Sequence, residues 1–166
     1  MVDQVFTINQ GVTLETGILP SKPEPFITNT NNHTLEQRMR QLIRQSWVYL
    51  NHAPKSEKYG LALQIKNLTL DMHKKLIECL HKYIKKTSLR ELDVLLQQLR
   101  ELWYLYYDLG FLRYKTRLED SSQSVADHRY SVIGIYINEC GRMIGGWIKA
   151  ENAQHDAKVK SLQSQY

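Results

Sequence analysis

Lysine and arginine are the residues whose number and spacing most suggest a chemical role in this 166-residue chain. They total 22 against 17 acidic residues, which gives a formal net charge of +5 and a pI near 9.1. An excess of positive charge favours an anionic partner, such as a nucleic acid or an acidic protein. The composition therefore indicates binding, and it leaves the kind of partner open.

The densest run of lysines falls in a segment with a local net charge of +4, which we predict to be the second helix. Lys82 and Lys86 stand one helical turn apart and repel each other, and a bound phosphate would relieve that repulsion. The alternative is an ordinary solvated face, in which Asp71 pairs with Lys75 and Glu78 pairs with Lys82. Both interpretations stay open at this point. The candidate nucleic-acid contacts of the chain are Arg38, Arg40, Arg44, Lys74, Lys75, Lys82, Lys85, Lys86, Arg142 and Lys149.

Histidine and cysteine, the usual ligands of transition metals, lack the spacing that a metal site requires. The six histidines contain no i,i+4 pair, and the two cysteines are too far apart to form a ligand pair. Cys79 and His81 point to different faces of one helix, so they form no catalytic dyad. The sequence also lacks a Gly-rich phosphate loop and a nucleophile elbow. We therefore predict a protein that is not an enzyme and that holds no metal or other cofactor.

Four predicted helices position these residues. The first begins at the capping pattern Thr34-Leu35-Glu36-Gln37 and ends near Pro54. The second runs from about 56 to 86, the third opens with a second capping pattern at 88–91, and the fourth runs from about 125 past 150. Short connections between long helices imply antiparallel neighbours. The sequence thus predicts an all-α fold, an antiparallel up-down-up-down four-helix bundle.

Apolar residues recur every three or four positions in each predicted helix, as they do on a helix with one buried face. The second helix shows the clearest seam, formed by Leu61, Ile65, Leu68, Met72, Leu76, Leu80 and Ile84. In the fourth helix one apolar stripe comprises Ile133, Ile137, Cys140, Ile144 and Ile148. Buried free cysteines fit a reducing compartment, so we expect a cytoplasmic protein. The most apolar stretch, 130–148, contains Asn138, Glu139 and Arg142, and we predict no membrane span.

The sequence divides into three parts. Residues 1–33 form an extension with three prolines and a local net charge of −2, and its Val5–Ile8 and Val12–Leu14 segments could form a small hairpin or a docking arm. Residues 34–150 form the bundle, and residues 151–166 form a polar C-terminal tail.

Three glycines share one stripe of the fourth predicted helix. Each costs roughly 1 kcal/mol relative to alanine, so a close approach of another helix must offset the loss. That helix is either the third one, which packs through Trp103 and Tyr107, or a second copy of the chain. The spacing does not distinguish the two. The candidate subunit-interface residues are Gly134, Gly141, Gly145 and the adjacent Trp147.

The segment Ile137–Ile148 resembles the last helix of the accessory variability determinant (Avd) proteins of diversity-generating retroelements. Its Gly-Arg-x-x-Gly-x-Trp pattern, which begins at Gly141, is the distinctive part. The aromatic stretch 102–111 and the Tyr59-Gly60 pair are similar to that family as well, and the resemblance covers about residues 36–150.

The resemblance implies a homopentameric, barrel-like bundle that binds a reverse transcriptase and its template RNA, and its cDNA too. In that role the protein supports mutagenic cDNA synthesis as a non-catalytic accessory subunit. Four-helix proteins encoded by intervening sequences in ribosomal RNA genes share the bundle and parts of the last helix. The alternative is therefore an oligomeric bundle of that type with no reverse transcriptase partner.

Overall fold

The computed structural model describes residues 30–163, which form four helices: α1 (Thr30–Leu50), α2 (Leu61–His81), α3 (Lys86–Asp108) and α4 (Gln123–Gln163). α1 and α3 each pack against both α2 and α4, so the helices form a square bundle around one core. No strand occurs in this part of the chain, and the predicted all-α bundle is confirmed. The hairpin or docking arm that we predicted in the N-terminal extension lies outside the described residues.

The starts that the two capping patterns predicted for α1 and α3 are both wrong. α1 begins at Thr30, four residues before Thr34, and α3 begins at Lys86, two residues before Ser88. Ser88 caps nothing because it is buried against α2, where its hydroxyl donates to Glu78 Oε1 and accepts from Lys82 Nζ, both at 3.2 Å. A buried hydroxyl needs hydrogen-bond partners, and α2 provides them. Ser88 therefore joins α2 to α3.

α2 is shorter than its apolar pattern predicted. It ends at His81, and the backbone turns to an extended conformation at Lys82. Ile84, the last residue of the predicted seam, is consequently 76% exposed in the α2–α3 turn. The rest of the seam holds, because Ile65, Met72 and Leu76 are all fully buried.

The core of the bundle is closed by large side chains from α3 and by the predicted stripe of α4. Trp103 and Tyr106 are fully buried and pack edge to face with ring centroids 5.6 Å apart. Ile133 and Ile144 are fully buried too, and α4 continues as a helix to Gln163, so residues 151–163 of the predicted tail extend α4. Within residues 30–163, no helix combines the length and apolar character needed to cross a membrane.

Burial also determines the chemistry of the two free cysteines. Cys79 and Cys140 are both inaccessible to solvent. Burial disfavours the thiolate and raises the pKa of Cys79 to about 11 and that of Cys140 to about 12. Both residues are therefore protonated, unreactive thiols at neutral pH, as expected of small core residues.

A buried arginine closes the core where α3 connects to α4. Arg129 is only 1% exposed and lies on the same stripe of α4 as the core isoleucines. Its guanidinium donates to the backbone carbonyls of Leu112 (2.7 Å) and Tyr114 (2.9 Å) and to the Glu119 carboxylate (2.7 Å). It also lies 3.7 Å from the centre of the Tyr114 ring. One side chain thus fixes the whole α3–α4 connection onto α4.

Replacing Arg129 with methionine should destabilise the protein by about 3 kcal/mol, because the two carbonyls and Glu119 lose their shared donor. Urea unfolding followed by circular dichroism would measure the loss. Glu119→Gln is the matched control and should cost about 1 kcal/mol or less, since that carboxylate is 44% exposed and regains water. Equal stability of the Arg129 variant and the wild type would contradict this assignment.

Candidate nucleic-acid and subunit interfaces

A cleft of about 560 Å³ lies where the α2–α3 turn faces the C-terminal part of α4. With 41 residues, α4 is much longer than the 21-residue α2, and it continues past the turn to form the second wall of the cleft. The lining residues are His81, Lys82, Tyr83, Ile84, Lys85, Lys86, Glu151, Gln154 and His155. We call this site the turn cleft. It combines three predicted lysine contacts with Tyr83, which the sequence analysis missed, and Ile84, which it assigned to the core; these two side chains are 90% and 76% exposed.

Trp147 contacts two residues that line the turn cleft, Lys85 and Glu151. The Lys85 ammonium lies 5.4 Å from the centre of the Trp147 ring, and the indole N–H donates to Glu151 at 3.3 Å. A cation over an aromatic face is held by the quadrupole of the ring. The predicted interface residue Trp147 therefore positions Lys85 within its own subunit.

The lysines of α2 are largely neutralised along the helix. Glu78 forms ion pairs with both Lys75 and Lys82, so the predicted Glu78–Lys82 pair is confirmed. The predicted Asp71–Lys75 pair is wrong, because Asp71 pairs with Lys74 at 2.9 Å. Lys75 reaches Glu91 of α3 as well, at 2.8 Å. Hydrogen bonds from Lys75 and Lys82 lower the pKa of Glu78 to about 2.

The three predicted arginine contacts of α1 differ in whether they form an ion pair with a carboxylate. Arg38 Nε lies 3.3 Å from Glu139 Oε2 and joins α1 to α4. Arg40 forms an ion pair with Glu36, one turn earlier in α1. Arg44 is exposed and has no carboxylate partner among the described residues.

The ten predicted contacts thus fall into two groups. Half of them pair with carboxylates of the same subunit, and their charge is already compensated. The other half have no such partner within the described part of the chain and remain available to an external anion. This second group comprises Arg44, Lys85, Lys86, Arg142 and Lys149.

The glycine stripe of α4 is mostly uncovered. A Cβ atom added to Gly134 or Gly145 would meet nothing within 4 Å. A Cβ atom on Gly141 would lie 2.8 Å from Arg100 Nη2 and 3.1 Å from Leu96 Cδ2, so only this glycine accommodates α3. The predicted packing against Trp103 and Tyr107 is therefore wrong for Gly141 and Gly145. Gly134 does line a shallow groove of about 380 Å³ with Trp103 and Tyr130.

The sequence analysis missed one motif, which combines His81 of the turn cleft with Glu78 of α2. Glu78 and His81 have the Glu-x-x-His spacing found in di-iron bundles, where two such motifs face each other. Here the Glu78 carboxylate is engaged by Lys75, Lys82 and Ser88. The described residues contain no group of three or more His, Cys, Asp or Glu side chains that could hold a metal ion.

In a comparison with protein families, residues 33–151 match a family described as bAvd-like. This range includes α1 almost from its start, α2, α3 and the part of α4 that reaches the turn cleft. Neither the curated proteins nor the solved structures contain a match to the chain.

The low pKa of Glu78 is testable by carboxyl ¹³C NMR. Because the folded pKa is depressed, the Lys75–Glu78–Lys82 network should persist at every pH above the unfolded-state pKa of about 4.3 and be lost only as the pH falls through about 2. The substitution Lys75→Met removes one hydrogen-bond donor and should raise the pKa of Glu78, seen as a higher midpoint in the titration. A midpoint near 4 in the wild type would show that the network does not form.

Proposed function

Because the chain belongs to the bAvd-like family of Avd-type accessory proteins, we propose that it is a non-catalytic subunit of a diversity-generating retroelement. In this role it binds the reverse transcriptase and the template RNA and supports mutagenic cDNA synthesis. The family match over residues 33–151 supports the accessory role, and the turn cleft supports RNA binding.

The turn cleft has the side chains that an RNA backbone requires. Lys85 and Lys86 have no carboxylate partner among the described residues, so phosphates can contact them without breaking an existing ion pair. Tyr83 is almost fully exposed beside them and can stack on a base. Lysine contacts to phosphate carry little sequence information. The cleft therefore fits an RNA that is recognised mainly by its backbone and by unstacked bases.

The uncovered stripe of α4 supports the proposal that copies of the chain assemble into a pentamer. Glycine at Gly134 and Gly145 lowers helix stability, and no neighbour within the subunit offsets that cost. A helix of a second copy can approach this smooth surface closely. Arg142 and Lys149 flank the stripe, so assembly would bring cations of neighbouring subunits together and strengthen a weak individual contact.

The proposed role predicts a ternary complex. The tagged protein should copurify with the reverse transcriptase encoded beside its gene, and it should retain template RNA at about 50 mM salt but much less at about 200 mM. Neutralising two cations with Lys85→Gln and Lys86→Gln should lower RNA affinity on the order of tenfold. Lys160→Glu, an exposed site near the end of α4, changes the net charge by the same amount and serves as the matched control.

If neither the polymerase nor the RNA copurifies at low salt, the accessory role is contradicted. That result would favour the alternative, an oligomeric bundle of the ribosomal intervening-sequence type. The gene neighbourhood gives an independent distinction: a reverse transcriptase gene with a template and variable repeat supports the first function, and a position inside a ribosomal RNA gene supports the second.

The subunit interface is testable by comparing two adjacent glycines. Gly145→Leu should convert the oligomer to smaller species in sedimentation velocity, because the new side chain blocks the approach of a second copy. Gly146→Leu adds the same side chain about 100° away on the helix, also into open space, and should leave the oligomer intact. Both variants should keep their helical content. Identical sedimentation of the two variants would place the interface elsewhere.

A further inference from the structure

A second group of cations lies at the end of the bundle opposite the turn cleft. The α1–α2 connection (residues 51–60) and the α3–α4 connection (residues 109–122) meet there, because successive helices run in opposite directions. We call this region the loop end. The 21 residues of α2 separate it from the turn cleft by about 30 Å.

The two connections of the loop end are held against each other. The imidazole of His52 stacks on the ring of Tyr114 with centroids 4.4 Å apart and planes 11° from parallel. The guanidinium of Arg129 lies over the ring of Tyr114 and holds it in place. Arg129 is itself only 1% exposed to solvent. The loop end is therefore a defined surface, which lowers the entropic cost of binding a ligand there.

The loop end carries five exposed cations: Lys55, Lys58, Arg113, Lys115 and Arg117. None of them forms an ion pair with another described residue, in contrast to the paired lysines of α2. The two connections contain three carboxylates, and two of these are engaged: Glu119 by Arg129, and Asp120 by the backbone N–H of Ser122 at 3.0 Å. The third, Glu57, is half-buried. Five cations against three carboxylates leave the two connections of the loop end with a net charge of +2.

An exposed aromatic side chain accompanies these cations. Tyr59 directly follows Lys58 and is 86% exposed. Exposed aromatic rings interleaved with cations are typical of surfaces that bind single strands, where each base can stack and each phosphate can contact a cation. A double helix would offer no unstacked base to Tyr59.

We propose that the loop end is a second nucleic-acid site that takes a single-stranded segment of RNA, with phosphates on the loop cations and a base stacked on Tyr59. This inference rests on the proposed function, because it assumes that the protein binds RNA. One RNA that reaches both the loop end and the turn cleft would be held more tightly than by either site alone.

The test uses fluorescence anisotropy of the full chain with a labelled single strand of about 20 nucleotides and with a duplex of the same length. Lys115→Gln with Arg117→Gln should weaken single-strand binding several-fold and reduce the slope of log K against log salt by about 1.4. Tyr59→Ala should weaken single-strand binding on the order of tenfold, Tyr59→Phe should retain it, and duplex binding should be insensitive to both. Lys160→Glu again matches the charge change. All sites are exposed, so circular dichroism should show unchanged folding.

Three outcomes would overturn the inference. Wild-type affinity in the loop-end variants, together with the loss caused by Lys85→Gln and Lys86→Gln, would refute the second site and leave the proposed function intact. If the variant with Lys115→Gln and Arg117→Gln keeps wild-type RNA affinity but no longer copurifies with the reverse transcriptase, the loop end belongs to the polymerase contact and not to RNA. No RNA binding by the wild type would refute both the inference and the proposed function.

Discussion

The buried guanidinium of Arg129 is the interaction on which the arrangement of both ends of the bundle depends. Its hydrogen bonds hold the α3–α4 connection against the core stripe of α4. α4 is a continuous helix, so about 33 Å of rigid rise lead from Arg129 to Glu151 at the turn cleft. The anchor at one end therefore sets the position of a wall at the other. The same anchor holds Tyr114, on which His52 and the α1–α2 connection pack.

The distribution of charge follows from the geometry of helices. Within a helix, a lysine lies one turn from residues three and four positions away, and in α2 carboxylates occupy those positions, so Glu78 and Asp71 neutralise most of the lysine run. Turns and connections have no such periodic neighbours. Cations without a carboxylate partner therefore lie at both ends of the bundle, at Lys85 and Lys86 on one side and on the two connections at the other, in addition to Arg44, Arg142 and Lys149 on the helices. Binding of an anion at these ends requires no internal ion pair to break, and this is why we place the RNA contacts there.

The sequence predicted what depends on periodicity and missed what depends on contacts distant in sequence. The four helices and the buried stripe of α4 follow from apolar residues repeated every three or four positions. The predicted start of α3 was wrong because a hydroxyl can bond across helices as well as cap, as Ser88 does with Glu78. Glu139, the partner of Arg38, and Glu91, the second partner of Lys75, lie on other helices, so helical spacing did not predict these two ion pairs. Arg129 was missed because an arginine on a core stripe is explained only by the loop carbonyls that it binds.

The three proposed surfaces occupy different parts of the subunit, and this separation makes them compatible. The stripe at Gly134 and Gly145 runs along the side of α4, whereas the turn cleft and the loop end lie at the two ends of the bundle. Copies that pack side by side along the stripe would leave both ends free. Each end of such an assembly would then present one set of cations per subunit, in two layers about 30 Å apart. A single-stranded RNA could contact several subunits within one layer, so that individually weak phosphate contacts add to a stable and strongly salt-dependent complex.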